Sequence, residues 1–280
     1  MNYSSGRWSI TPAVKNLLII NVLVFFAANV FEESLGIDFN KTFGLHYYLA
    51  DSFGVWQFVT FMFLHSGFSH VFFNMFAVYM FGRIIEQVWG TQKFLIYYFV
   101  TGIGSGIIQE VALYFDINPF IEAVDNLLSE TTLENLQNFF YNEGAAFSSE
   151  SAVALKSFIT EYNSLCNTDL ESATSLARKF LIEYQAMFIE AHVTIGASGA
   201  VFGVLLAFGM LFPNMVIMLL FPPIPIKAKY FVMAYGLIEL FQGIANFSYD
   251  NVAHWAHLGG MLFGFFLIRH WRQGGNQSYY

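Results

Sequence analysis

Residues 194–212, TIGASGAVFGVLLAFGMLF, run for nineteen positions without a charged side chain. A helix rising 1.5 Å per residue needs about 20 such residues to cross ~30 Å of hydrocarbon. Working outward, further charge-poor apolar runs occur at Asn16 to Phe31, Ser66 to Gly82, Phe94 to about Phe115, Tyr230 to Tyr249 and Val252 to Ile268. The composition has the same character, with 56% hydrophobic and 11% charged residues and a mean hydropathy of +0.52. Soluble domains carry about 25% charged residues, so this chain has too little polar surface to coat itself in water. The expectation is an all-α polytopic membrane protein with six transmembrane helices. Its 34 Phe and 15 Tyr exclude overall disorder, and the lone Cys166 excludes a disulfide scaffold or a cysteine metal cluster. An excess of 20 acidic over 12 basic residues argues against a nucleic-acid partner.

The net charge of -8 is unevenly spread. Between Asp116 and Glu190 there are 12 acidic residues against Lys156, Arg178 and Lys179, which leaves the remainder nearly neutral. The chain therefore divides into three parts: residues 1–115 with the first three spans and an interfacial first loop, an acidic soluble insert at 116–190, and residues 191–280 with the last three spans. Patterns such as Phe120 to Leu136 and Ala152 to Tyr162 predict amphipathic helices in the insert, which is expected to lie outside the membrane. The first run contains Asn21 and Asn29 but has no small-x-small cleavage site before Glu32, so it is read as an uncleaved span rather than a signal peptide. Arg7, Lys15, Arg83, Lys93, Lys227, Lys229, Arg269 and Arg272 all fall on one side of the six spans. By the positive-inside rule both termini are cytoplasmic, and Lys41, the insert and Asp250 face outward. Aromatic residues between Glu32 and His65 (Tyr47, Tyr48, Trp56, Phe58) fit either a segment lying in the interface or an ordinary outward loop.

Polar side chains inside spans are expensive, and each is a candidate for function. HSGFSHVFFN at 65–74 places His65, His70 and Asn74 at the start of span two, with His70 and Asn74 four apart on one helical face. Span four opens with Gly196-Ala197-Ser198-Gly199, and span six with His254 and His257. All three sets lie at the outward ends of their helices and share one depth. A serine in a first helical turn sits beside backbone N–H groups that have no intrahelical partner, which suits a developing oxyanion. A histidine at the same depth can take its proton. Each feature alone has a plainer reading: Gly199 and Gly203 also form a close-packing GxxxG face, and a His70/Asn74 pair also serves as an interhelical hydrogen bond. Their coincidence at one depth is what favours acyl transfer.

HSGFSHVFFN at 65–74, GASGAVFG at 196–203 and HLGGMLFG at 257–264 resemble, in order and placement, the three signature segments of the rhomboid intramembrane serine proteases. The resemblance covers the six-helix body and leaves the insert unexplained. It implies a rhomboid-like bundle in which Ser198 is the nucleophile and His257 the base. His257 is followed at three and seven residues by Gly260 and Gly264, which in the family pack span six against span four. It further implies an oxyanion hole of His70, Asn74 and Ser198, a structural role for His65, and a helix-end tie through Glu86 and Gly90. Gly196, Gly199, Phe202 and His254 are expected beside the site as structural residues, His254 as a polar or packing neighbour. Two positions depart from the family. Trp56-Gln57 stands where many members have Trp-Arg, so a loop anchor is absent or replaced, and Phe202 stands where a tyrosine often stacks on the base.

The expected activity is that of a serine endopeptidase cutting transmembrane segments of membrane proteins, in a bilayer and without metal or cofactor. As a bacterial-type multi-pass protein it belongs in the inner membrane. A non-proteolytic rhomboid-like protein that binds membrane helices is the non-enzyme alternative, although it would lack the serine or the histidine. A metal enzyme built on His65, His70, His254 and His257 is the mechanistic alternative. It lacks an HExxH motif, and on the span reading Glu86 and Glu239 sit at the wrong depth to join it. By the same reading no acidic residue accompanies Ser198 and His257.

Overall fold

A helix that is apolar on every side is stable when surrounded by other helices or by lipid. In the computed structural model the Ser198–Leu211 helix occupies that position, with Gly199 to Leu205 and Ala207 to Gly209 all buried. Residues 10–132, 134–136, 138–139, 152–166, 168–218, 223–245 and 252–273 are described. Arg7, Asp250 and residues 246–249 of the fifth apolar run lie outside them.

Six helices coincide with the six predicted runs: α1 (Pro12–Leu35), α2 (Phe68–Trp89, with a π turn at Val78–Gly82), α3 (Thr91–Ser129), α4 (Ser198–Leu211), α5 (Ala228–Ala245) and α6 (His254–Gln273). The first three are long and apolar enough to cross a membrane, and α4 is apolar but shorter. The protein is an all-α polytopic membrane protein. Its α1 buries only Ala13, Val14, Leu17 and Asn21, while Leu23, Phe26 and Val30 are exposed. An apolar surface of this kind is stable against lipid tails and not against water. Asn21 and Asn29 are tolerated there because each amide donates back to a carbonyl one turn earlier, on Leu17 (2.8 Å) and Phe25 (2.6 Å).

The first turn of α1 is held by Glu86 of α2. Its carboxylate accepts from the backbone N–H groups of Ala13 (2.9 Å) and Val14 (3.0 Å) and from the Thr91 hydroxyl (2.7 Å). These are orphan donors of a helix start, satisfied from a distant helix. Gly90 ends α2 at φ +79, a conformation in which glycine carries no Cβ penalty. Two short antiparallel ribbons supplement the helices: β1 (Leu45–His46) pairs with β2 (Val193–Thr194), and β3 (Val216–Met218) with β4 (Pro225–Lys227).

The chain forms two compact units. One contains residues 1–48, 52–111 and 193–280, and the other residues 49–51 and 112–192. The second has its own apolar core, in which Phe120, Val124, Leu127, Phe158, Ala177, Leu181 and Tyr184 are buried, and includes helices at Ala152–Cys166 and Leu170–Glu190. The latter begins at a cap in which Asp169 accepts from the Ser172 N–H at 3.1 Å. Where the charge pattern sets the end of the third span near Phe115, α3 continues to Ser129, through Pro119. Ile117, Phe120, Val124 and Leu127 recur at helical spacing and are buried, so the packing of this unit sustains the helix where lipid no longer does.

Candidate active site

Gly196 prepares the start of α4. Its φ of +129 is a conformation L side chains rarely adopt, and its N–H donates to the Phe61 carbonyl at 2.9 Å. The next turn presents Ser198 as the first helical residue, with Ala197 as the cap. The Val201 N–H donates to Ala197, so the N–H groups of Ser198, Gly199 and Ala200 precede the helical ladder.

Opposite lies α6. The Ser198 hydroxyl is 2.8 Å from His257 Nε2, and His257 is buried. Close helix approach makes this distance possible. A Cβ on Gly260 would overlap the Gly199 carbonyl oxygen and lie 2.7 Å from its carbon, so only glycine permits the crossing. At Gly264 the atoms nearest an added Cβ belong to Tyr97 and Thr101 of α3, and the Tyr97 hydroxyl in turn donates to the Gly203 carbonyl of α4 at 2.7 Å. Gly203 likewise faces Thr101, and Gly199 faces Ser105, so the GxxxG face of α4 receives α3. Phe202 stacks on His257 with ring centroids 4.2 Å apart and planes at 9°. The stack survives the loss of the tyrosine hydroxyl.

From α2, His70 reaches the same place. Its Nδ1 accepts from the Ser66 N–H at 3.3 Å, which leaves the proton of the neutral ring on Nε2. That nitrogen faces Gly196: a Cβ there would lie 2.9 Å from His70 Nε2 and 3.6 Å from the Ser198 oxygen. The missing side chain is thus a slot between a hydroxyl and an N–H donor. Asn74 is buried one turn further along α2. His65 is buried against the edge of His70, with centroids 4.9 Å apart. Gln57 replaces the loop anchor. It is buried, its carbonyl accepts from the His46 (3.2 Å) and Gly54 (3.1 Å) N–H groups, and its amide donates to the Ser52 carbonyl (2.9 Å).

One carboxylate lies where the span reading does not expect it. Glu239 of α5 is buried, and its Oε2 lies 2.8 Å from His257 Nδ1 and 2.6 Å from His254 Nδ1. The expectation that no acidic residue accompanies Ser198 and His257 is therefore corrected. The reason is packing between helices: Glu239 is buried where α5 meets the start of α6, and both His254 and His257 on the first turn of α6 reach its carboxylate. His254 is more than a packing neighbour, since it shares that oxygen. The spacing of His254 and His257, three apart on one face, was the available signal that two rings turn towards one partner. Glu239, His254 and His257 also offer three ligand atoms within 4.8 Å of one another, so the carboxylate that a metal site seemed to lack is present. His65 and His70 are not part of that group.

Comparison with known proteins adds to this geometry. A family model described as the Rhomboid domain matches residues 52–116 and 173–272, more than half of the chain. The chain belongs to the rhomboid family. This rhomboid is 30% identical over 98 residues to Rhomboid-like protein 11, chloroplastic, of Arabidopsis thaliana, covering 35% of this chain and 32% of that protein. It is 30% identical over 105 residues to Rhomboid protease AarA of Providencia stuartii (36% and 37%), and 26% over 113 residues to Rhomboid protease GlpG of Haemophilus influenzae (39% and 56%). The chain spans about a third of the length of the first two relatives. The two matched segments of the rhomboid contain every residue of the site described above except His46, and they omit residues 117–172 of the second unit.

Proposed function

We propose that this rhomboid is an intramembrane serine endopeptidase that cuts transmembrane segments of membrane proteins with Ser198 and His257. The observation that carries the reading is the 2.8 Å separation of the Ser198 hydroxyl from His257 Nε2, within the reach of a general base. The ring takes the hydroxyl proton as the oxygen attacks the scissile carbonyl. The carbonyl oxygen, now an anion, enters the slot at Gly196, where His70 Nε2–H, the Asn74 amide and the Ser198 N–H donate to it. Collapse breaks the C–N bond as His257 returns the proton to the leaving amine. Water then repeats the sequence to release the acyl group. The substrate is a single membrane helix that unwinds near its outer end, because attack needs an extended backbone. The protein sits in a bacterial inner membrane, termini in the cytoplasm and the acidic insert outside, as the lysine and arginine distribution supports.

Purified protein should react with a fluorophosphonate at Ser198 and cut a generic helix-containing membrane substrate, and Ser198→Ala should do neither. A wild type that binds such helices but is inert in both assays would make the protein a non-proteolytic membrane-helix binder. A second reading has one observation in its favour: the Glu239, His254 and His257 atoms could hold a divalent ion. Their spacings of 2.6 and 2.8 Å are those of charge-assisted hydrogen bonds, and the three atoms are satisfied as such. Activity lost to phenanthroline and restored by zinc would favour the metal reading.

A further inference from the structure

We infer that Glu239 is a positioning residue for His257, so that this rhomboid works with a Ser198-His257-Glu239 chain rather than with serine and histidine alone. The inference rests on the protease reading and adds a third group to it. An ionised carboxylate only accepts hydrogen bonds, so the imidazole nitrogens that touch Glu239 Oε2 are both protonated. For His257 this fixes the tautomer: the proton is on Nδ1, and Nε2 carries the lone pair that faces the Ser198 hydroxyl at 2.8 Å. Without a partner at Nδ1 the neutral ring is free to carry its proton on Nε2, where it cannot act as a base. The carboxylate also meets the positive ring that forms when the serine proton arrives. It takes no proton itself: the proton moves from Ser198 Oγ to His257 Nε2 and on to the leaving amine, while Glu239 stays ionised throughout.

The surroundings support an effect larger than that of an exposed pair. Glu239, His254 and His257 are all buried, so solvent screens their interaction weakly. Phe202 covers the face of His257, so the ring is held by stacking on one side and by hydrogen bonds at both nitrogens. His254 binds the same oxygen from one turn earlier on α6 and pins the Glu239 carboxylate in place. Three helices meet here, α5 supplying the carboxylate, α6 the two rings and α4 the hydroxyl.

The test compares wild type with Glu239→Gln, Glu239→Asp, His254→Ala, the Glu239→Gln/His254→Ala double variant and Ser198→Ala in a chelator-containing buffer. It measures kcat and KM on a helix-containing substrate and the rate of fluorophosphonate labelling. Glu239→Gln is nearly isosteric and keeps an acceptor, so thermal midpoint and monodispersity should match wild type. Its kcat should fall by about 10²- to 10⁴-fold with KM within about threefold, the range seen when a triad carboxylate is neutralised. Glu239→Asp should recover at least tenfold over Glu239→Gln. His254→Ala should lose less than tenfold, and the Glu239→Gln loss should persist in that background. Glu239→Gln at wild-type kcat in a folded protein would overturn the inference while leaving the protease reading intact, as would a Glu239→Gln effect that vanishes once His254 is gone. A wild type indistinguishable from Ser198→Ala, or one active only without chelator, overturns both.

Discussion

Adding one methyl group at Gly260 should separate the two halves of the reacting pair without touching either. A Cβ at Gly260 would stand 2.7 Å from the Gly199 carbonyl carbon, whereas ordinary contacts begin at 3.4 Å. The obstacle is backbone, so no side chain can swing aside; the carbon alone requires α4 and α6 to part by roughly 0.7 Å, and the overlapping carbonyl oxygen requires more. Ser198 adjoins Gly199 and His257 lies one turn before Gly260. The same displacement carries the 2.8 Å hydroxyl-to-imidazole contact to about 3.5 Å, outside the range for proton transfer. A misplacement of this size costs on the order of 10²-fold in rate, or about 2.7 kcal/mol of barrier. Fluorophosphonate labelling of Gly260→Ala in detergent, followed by gel fluorescence over time, measures it directly. Gly36→Ala is the control: it burdens a glycine at φ +67, a strain helical Gly260 does not carry, but a Cβ there has nothing within 4 Å. That variant should label at the wild-type rate. A folded Gly260→Ala protein that labels as fast as wild type would falsify the idea that helix approach sets the pair distance.

Asn74→Ala should lower turnover by about 10²- to 10³-fold with little change in KM, because the amide acts on the anion and not on the bound carbonyl; weakened binding at unchanged turnover would instead make Asn74 a substrate contact. Leu181→Ala removes a fully buried side chain from the second unit, which should cost that unit roughly 2–5 kcal/mol. Limited proteolysis should show faster cleavage within 112–192 while Ser198 labelling stays unchanged, and a parallel loss of labelling would argue that the two units are not energetically separate. Glu86→Ala strands two backbone donors at the start of α1, at a cost of about 1–3 kcal/mol. A lower thermal midpoint with unchanged kcat on the remaining folded protein is expected. Cleavage should survive EDTA and phenanthroline, measured as initial rate before and after dialysis.

Periodicity and charge made the six helices legible, because lipid imposes a requirement for long charge-poor runs that few other environments impose. They made the convergence of His70, Ser198 and His257 legible too, since a helix end fixes depth. Where the reading stopped, its rules described lipid and the structure obeyed packing. Asp116, Glu122 and Asp125 mark where α3 can no longer lie in hydrocarbon, but Ile117, Phe120, Val124 and Leu127 carry it to Ser129 as a helix. Leu45–His46 and Val193–Thr194 form a ribbon two residues long, too short for any alternating pattern to announce. Glu239 escaped because a count along one apolar run does not show which side chains of a neighbouring helix reach the same point. Gln57 shows the reverse case: its amide anchors the loop that an arginine often holds, using geometry that composition does not reveal.

The grip of Glu86 on the first turn of α1 has a mechanical consequence. Below that turn α1 buries little beyond Leu17 and Asn21, so its resistance to being pulled away is concentrated at one end, as a hinge pin's is. A force applied at the start of α1 loads the Ala13 and Val14 hydrogen bonds first, and once they yield the helix is held by the apolar contacts of residues such as Leu17, Leu18 and Phe25. In a single-molecule pulling trace α1 should therefore come away in one early step at low force. The five helices behind it, interlocked through the glycine faces of α4 and α6, should hold until a separate and larger rupture.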